Sequence, residues 1–250
     1  MSYKIFKVFI FNYSTIFENI NTKNEYSNLS YSDHLNKLLN EYIIETPGFS
    51  KKMNLMGNMS QDIIYNYYDL QAKWLEENNL KLDKDLNFED KLYYIFEKQI
   101  FYFKPNVIFF RGHPPFDCSR IVELKDKFKF LKKIVCHNGF PNNELKNIDL
   151  VLSTTKTLND FYKKKGLMST LLYHSFDEEI LKKVVKKNNS NEIVFCGQTG
   201  HTKSTYYKTR FNHLNELLIN NFSIDCYSSE FFNKKIEFHS KNSKEKVRNF

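Results

Sequence analysis

The fold of this chain is decided by a stretch in which two apolar runs flank a helix-forming segment: VIFFRGHPPFDCSRIVELKDKFKFLKKIVCHNGF, residues 107–140. Residues 107–110 and 133–136 are rich in β-branched and aromatic side chains, which favours buried strands. Residues 120–130 between them have the apolar spacing of an amphipathic helix. A strand, a helix and a second strand in this order predict one unit of a parallel sheet.

The same alternation extends in both directions along the chain. Further strands are predicted at residues 3–12, 62–65, 149–152 and 170–173, and further helices at residues 32–43, 88–103 and 158–165. We expect Ser32 to cap the first of these helices and Asp69 to cap another that contains Trp74. Crossovers too long for hairpins predict an α/β fold, with a Rossmann-like parallel sheet covered on both faces.

A polar run at residues 184–190 is typical of a linker, and the alternation restarts after it. A strand, a helix and a strand are predicted at residues 192–196, 204–219 and 222–226. We therefore expect an N-terminal Rossmann-like lobe at residues 1–183 and part of a second Rossmann-like lobe at residues 191–250. The second lobe is expected to be incomplete, because about 60 residues fall short of the roughly 100 of a typical self-sufficient domain.

Composition excludes two classes of protein. Of the 250 residues 41% are hydrophobic, the mean hydropathy is −0.55, and no apolar run approaches the roughly 18 residues of a membrane-spanning helix. The 24 Phe and 16 Tyr exclude a disordered chain. The opening residues lack the pattern of a secretory signal. The four cysteines lack the spacing of a disulfide framework or a zinc site. Together these observations favour a soluble protein of the reducing cytoplasm.

The formal net charge of +8 raises the question of an anionic partner. The lysines are spread along the chain and follow no known nucleic-acid-binding module, so nucleic acid is not an expected partner. A basic surface would also suit an anionic membrane surface, in peripheral contact, or a nucleotide diphosphate.

Polar side chains follow several of the predicted strands, at the edge where α/β sheets bind ligands. We expect four of these residues to meet on one rim: Arg111, His113, His137 and His174. Each histidine alone fits an ordinary loop position, and the absence of ligand spacing argues against a metal site. Acid–base chemistry, or hydrogen bonding to a phosphate or a sugar, suits imidazole better.

A glycine-containing turn follows the strand predicted at residues 192–196. The segment Gly197-Gln198-Thr199-Gly200-His201-Thr202-Lys203-Ser204 differs from a P-loop because Thr202 replaces the glycine before Lys-Ser. An NTPase or kinase is therefore one alternative. A looser diphosphate site at a helix N-terminus, with Lys203 and Arg210 nearby, is a second alternative, and a plain strand-to-helix turn is a third.

Several of these segments resemble glycosyltransferases of the GT-B superfamily, and most closely its CgeB-like (spore-maturation-type) family. The resemblance is carried by IDLVLSTT at residues 148–155, Phe161-Tyr162, Gly166, LYHSFD at residues 172–177 and VFCGQ at residues 194–198, with Arg210 downstream. The N-terminal part is also similar to that family, at residues 29–31, 71–74 and 103–107. Its members often belong to pathways of bacterial surface-polysaccharide synthesis.

The resemblance implies two Rossmann-like lobes across a cleft, with the acceptor on the first lobe and the nucleotide-sugar on the second. The activity implied is transfer of a sugar from a nucleotide-sugar donor to a glycan or lipid-linked acceptor, with no metal and no cofactor. The residues implied at the donor diphosphate are Gly197, Gln198, Thr199, Lys203 and Arg210. The cleft residues are Arg111, Asn138, His174 and Asp177, and the candidate catalytic bases are His113, Asp117 and His137.

The chain departs from the family in two respects. Relatives continue beyond this length into a segment that grips the donor, and the early glycine loop of other GT-B enzymes is absent. The expectation is therefore a glycosyltransferase or the remnant of one. A non-catalytic α/β binding module left by truncation is the main alternative.

Overall fold

The computed structural model describes residues 2–11, 14–41, 45–83, 85–175, 177–182, 193–196, 205–220, 222 and 224–227. The chain divides into two compact units, Met1–Lys182 and Lys183–Phe250. The predicted linker at residues 184–190 lies outside the described residues.

The first unit is built on a parallel sheet of six strands. They are β1 Lys4–Phe9, β2 Met59–Ile64, β3 Val107–Arg111, β4 Lys133–Asn138, β5 Leu150–Ser153 and β6 Ser169–Leu171. Their spatial order is β2-β1-β3-β4-β5-β6, and every neighbouring pair is parallel. The predicted α/β class is thus confirmed, and the sheet is compatible with a Rossmann-like lobe. The chain order reverses between β1 and β3, which is the topological switch point.

Eight α-helices accompany these strands in the described part of the first unit. They are α1 Ser14–Asn21, α2 Asn24–Ser27, α3 Tyr31–Asn40, α4 Gly48–Leu55, α5 Tyr68–Glu77, α6 Phe88–Phe103, α7 Ser119–Lys127 and α8 Lys156–Lys164. A short 3-10 helix, Glu178–Lys182, follows β6. Helix α6 has the bounds predicted for it, because Asn87 caps its start and the left-handed Lys104 ends it before Pro105.

Two predicted caps are wrong. Ser30, not Ser32, caps α3, since its extended backbone (φ −60°, ψ 162°) allows its hydroxyl to accept the amide hydrogen of Asp33 at 3.0 Å. Ser32 already lies inside the helix. Helix α5 begins after Tyr67, so Asp69 lies in its first turn, where a negative charge still suits the helix dipole.

The two faces of the sheet are covered differently. Side chains such as Phe6, Ile108 and Ile134 pack with residues of α6, α7 and α8 into one core. A second core, around Phe9 and Ile64, packs against α3 and α5. Across β3, β4 and β5, the face opposite the first core lines a cavity, which leaves room for a ligand beside the strands.

The second unit contains β7 Ile193–Cys196, α9 Thr205–Ile219 and β8 Ile224–Tyr227, and the two strands pair in parallel. The predicted strand, helix and strand are therefore confirmed within about two residues at their ends. Within the described ranges of both units, no helix combines the length and the apolar character that a membrane crossing requires.

Candidate functional site

A cavity of about 580 Å³ lies against the sheet where β3 and β4 end. Arg111 and His137 are register partners on these strands, so their side chains leave the sheet on the same face. His174 and Asp177, from the segment after β6, line the same cavity. The structure thus brings together three of the four residues predicted to share one rim.

The floor of this cavity is apolar and its rim is polar. The floor consists of side chains that alternate along the central strands, namely Ile5, Val107, Phe109, Val135 and Leu152. Phe49 of α4 closes one side, with its ring 5.0 Å from that of Phe109. An apolar floor under convergent polar groups is the usual construction of a small-molecule site.

The surroundings of His137 lower its pKa and so favour the neutral imidazole at neutral pH. Its Nε2–H donates to the carbonyl oxygen of Leu172 at 3.2 Å, because a carbonyl can only accept. Partial burial lowers the pKa of His137, the hydrogen bond to Leu172 opposes this in part, and the positive charge of Arg111 lowers the pKa further. The ring of His174 packs edge-on against it with centroids 5.2 Å apart. The Nδ1 atom of His137 is therefore left with a lone pair that can take a proton.

Cations at the cavity are compensated by carboxylates of the same unit. Arg111 forms an ion pair with Glu45, a residue of the α3–α4 connection. Lys7, only 2% exposed, lies 3.2 Å from Asp62 on the neighbouring strand, and its ammonium donates to the carbonyl oxygen of Thr46 at 3.3 Å. Burial raises the pKa of Asp62, so this ion pair depends on the proximity of Lys7.

Asp177 packs against the first residue of α4. A Cβ atom added to Gly48 would overlap the Oδ2 atom of Asp177, so a larger residue there would force the Asp177 side chain to move. The Oδ1 atom accepts the amide hydrogen of Glu179 at 3.1 Å, whereas Oδ2 is buried without a partner among the described residues. Lys52 and Glu178 form a second link between α4 and this segment, at 2.8 Å. The cavity is thus bounded by two elements that contact each other.

His113 and Asn138 lie on the opposite face of the sheet, which corrects the prediction of a single rim. Consecutive strand residues point to opposite faces, so Asn138 cannot share the face of His137. Asn138 is 2% exposed and donates to the Tyr162 hydroxyl of α8. The side-chain amides of Asn138 and Asn142 lie 3.2 Å and 3.1 Å from Nδ1 of His113, and burial lowers the pKa of that histidine.

Asp117 lines a different cavity, of about 320 Å³. Its Oδ1 atom accepts the amide hydrogen of Ser119 at 2.6 Å, at the start of α7. Hydrogen bonds from Ser119 lower the pKa of Asp117, which is therefore ionised at neutral pH. The three predicted candidate bases thus stand in three different surroundings.

Of the residues predicted at the donor diphosphate, Arg210 lies on α9 and is partly buried. Gly197, Gln198, Thr199 and Lys203 lie outside the described residues.

Sequence reasoning missed Lys7, Glu45 and Lys52 as residues of the cavity. The signal for Lys7 was present, since a lysine inside a buried strand needs a partner. Glu45 carried no such signal, because it reaches Arg111 across 66 positions of the chain. Over the described ranges, the structure contains no cluster of three or more His, Cys, Asp or Glu side chains arranged to hold a metal ion.

No protein-family model, curated protein or solved structure matches this chain. The chemistry of the cavity is therefore given by its own residues.

Proposed function

We propose that the chain is a glycosyltransferase of the GT-B type whose first unit holds the sugar acceptor in the 580 Å³ cavity. One observation carries the proposal: a neutral histidine, His137, lies with Arg111 and His174 at the carboxyl ends of a parallel sheet, above an apolar floor. Ligands of α/β sheets bind at this edge.

The charges around the cavity favour an uncharged, hydroxylated ligand. The lysine and arginine side chains among its described lining residues are each paired with a carboxylate of the same unit: Lys7 with Asp62, Lys52 with Glu178 and Arg111 with Glu45. An anionic ligand would have to compete with these carboxylates. A sugar suits the cavity better, since its C–H face can lie on Phe109 and its hydroxyls can exchange hydrogen bonds with the rim.

In this reaction His137 acts as the general base. Its Nδ1 atom removes the proton from an acceptor hydroxyl while that oxygen forms a bond to the anomeric carbon of the donor sugar. The bond from that carbon to the diphosphate breaks, and the nucleoside diphosphate leaves with the electron pair. The hydrogen bond from Nε2 to Leu172 fixes the tautomer that leaves Nδ1 available.

The part of the proposal that concerns the nucleotide-sugar donor rests on the sequence resemblance to GT-B glycosyltransferases. It implies that the second unit binds the nucleotide-sugar, with the turn at residues 197–203 and Arg210 near the diphosphate. The implied setting is bacterial surface-polysaccharide synthesis, with a glycan or lipid-linked acceptor. His137 is preferred to His113 and Asp117 as the base because it shares its cavity with Arg111 and His174.

The test combines binding and turnover with the full chain. Calorimetry against free saccharides and a panel of nucleotide-sugars should detect saturable binding, and release of nucleoside diphosphate should follow when both are present. His137→Gln should abolish turnover and retain binding, whereas His113→Gln on the opposite face should retain both. Binding without turnover would support the non-catalytic binding module instead, and no saccharide binding would overturn the proposal.

A further inference from the structure

The smaller cavity lies at the topological switch point of the sheet. Its volume is about 320 Å³, at the lower end of the range for ligand pockets. Ile10 follows β1 and Phe116 belongs to the loop after β3, so the cavity opens between the two strands where the chain order reverses. This is the position at which open α/β sheets leave a crevice.

Three aromatic side chains line this cavity, Tyr65, Phe88 and Phe116. Phe116 is held in place by its neighbours, with its ring centroid 5.9 Å from that of Tyr65 and 5.1 Å from that of Tyr93. Tyr93 packs edge-on to it, so the ring of Phe116 has little freedom to turn. The aromatic wall therefore exists before any ligand arrives.

Tyr65 presents a hydroxyl at the cavity that bonds to none of the described residues. The residue is 5% exposed, and its hydroxyl makes no hydrogen bond to any residue that the structure describes, although it is not sealed from solvent. Burial raises the pKa of Tyr65, so the hydroxyl stays protonated at neutral pH. A hydroxyl that reaches a cavity wall without a partner among the described residues can form its hydrogen bonds with water or with a ligand.

The charges at this cavity leave an excess of negative charge. Arg120 is compensated, since its guanidinium lies 2.5 Å from Asp90 and 4.3 Å from the centre of the Tyr93 ring. Two carboxylates, Glu89 and Asp117, also line the cavity, and neither takes part in an ion pair among the described residues. Lys146 and Arg120 attract the Asp117 carboxylate, but neither forms an ion pair with it. The cavity thus combines aromatic side chains with two carboxylates.

We infer that this cavity binds a small organic cation, an ammonium group with apolar substituents. Aromatic rings attract such a cation through their faces, and the carboxylates of Glu89 and Asp117 add charge complementarity. The hydroxyl of Tyr65 can accept a hydrogen bond from a polar group on the ligand. An anion is disfavoured, because Arg120, the cation among the described lining residues, is already paired with Asp90. This site stands apart from the cavity of the proposed glycosyltransferase and does not depend on it.

Choline and its uncharged isostere 3,3-dimethylbutan-1-ol, which differ in charge at nearly equal shape, provide the test. Calorimetry with the full chain should show choline binding more tightly than the isostere by roughly three- to thirty-fold. Added salt should weaken choline binding only modestly. Equal binding of the two probes, or tighter binding of acetate, would overturn the inference.

Variants of the chain test whether choline binds in this cavity or through a general attraction to the protein surface. Asp117→Asn keeps the oxygen that accepts the Ser119 amide hydrogen, so α7 should remain intact while choline binding weakens several-fold. The matched control is Asp126→Asn, at a carboxylate on the same helix that is 74% exposed, and it should change nothing. Glu89→Gln, at an exposed position, gives a second measurement if Asp117→Asn lowers stability. Unchanged choline binding in both site variants would exclude the site.

Discussion

Arg111 and His137 are direct register partners on neighbouring parallel strands, and both side chains line the same cavity. His137 is followed by Asn138, which is buried on the other face and bound to Tyr162. The alternation of side chains along a strand therefore separates the residues that contribute to the cavity from those that hold the sheet against α8.

His137 should titrate below the ordinary histidine pKa of about 6.5. Burial disfavours the charged ring, and Arg111 adds repulsion, so the neutral form persists to lower pH. A pH titration of the ring resonances by NMR, assigned with His137→Gln, measures this directly. A pKa at or above 6.5 would contradict the role of His137 as a neutral base. In a turnover assay, activity should fall as pH drops through the measured value.

Lys7→Met should destabilise the protein by about 3–5 kcal/mol, because it leaves Asp62 buried without its cation. The double variant Lys7→Met/Asp62→Leu should regain a large part of that loss. Urea unfolding of the single and double variants gives the coupling free energy. Lys129→Met serves as the control, since its pair with Asp126 is exposed and should contribute less than about 0.5 kcal/mol. Equal effects of Lys7→Met and Lys129→Met would show that the Lys7–Asp62 pair is not buried as described.

Gly48→Ala should destabilise the first unit by roughly 1–3 kcal/mol, because the new Cβ would overlap the Asp177 carboxylate. Gly139→Ala is the matched control, since its added Cβ would meet Thr154 at an ordinary 3.8 Å. Thermal unfolding of the two variants makes the comparison. A neutral Gly48→Ala would contradict this prediction and show that the Asp177 carboxylate moves aside at little cost.

His34 should make the protein less stable in mild acid. The residue is 4% exposed, and burial lowers its pKa to about 4, with neither ring nitrogen bonded to a described residue. Between about pH 6.5 and about pH 4 the unfolded chain binds a proton that the folded chain does not, so stability falls as pH falls through this window. The full effect is up to about 3 kcal/mol.

Replacement of this histidine isolates its contribution. His34→Phe retains an aromatic ring between Tyr26 and Tyr67 and removes the titrating group. Urea unfolding at pH 7 and pH 4.5 should show a smaller loss of stability in the variant than in the unchanged chain. The same loss in both would mean that His34 is not the residue responsible.

Local signals explain why most of the fold could be predicted. Helix α6 combines helical periodicity with an asparagine cap and a following proline, and each signal acts within a few residues. The strands were identified by short apolar runs between polar turns. The two wrong caps, Ser32 and Asp69, lie one or two residues inside their helices, because propensity alone does not fix where the extended backbone begins.

The site was only partly predictable, since its geometry depends on contacts distant in sequence. Arg111, His137 and His174, which were chosen because they follow strand ends, line one cavity. The loop after β3 carries His113 to the opposite face, where it meets Asn142, and no local pattern encodes that turn. Glu45 reaches the cavity through the packing of α4, which depends on the whole first unit.

The central claim is that one cavity, lined by Arg111, His137 and His174, binds the sugar. The most direct measurement is an NMR titration of the histidine ring resonances of the full chain with free saccharides and nucleotide-sugars. If the acceptor sugar binds in this cavity, the resonances of His137 and His174 should shift saturably while those of His113, on the opposite face, stay unchanged. Shifts of His113 alone, or no shift of any of the three at saturating saccharide, would contradict it.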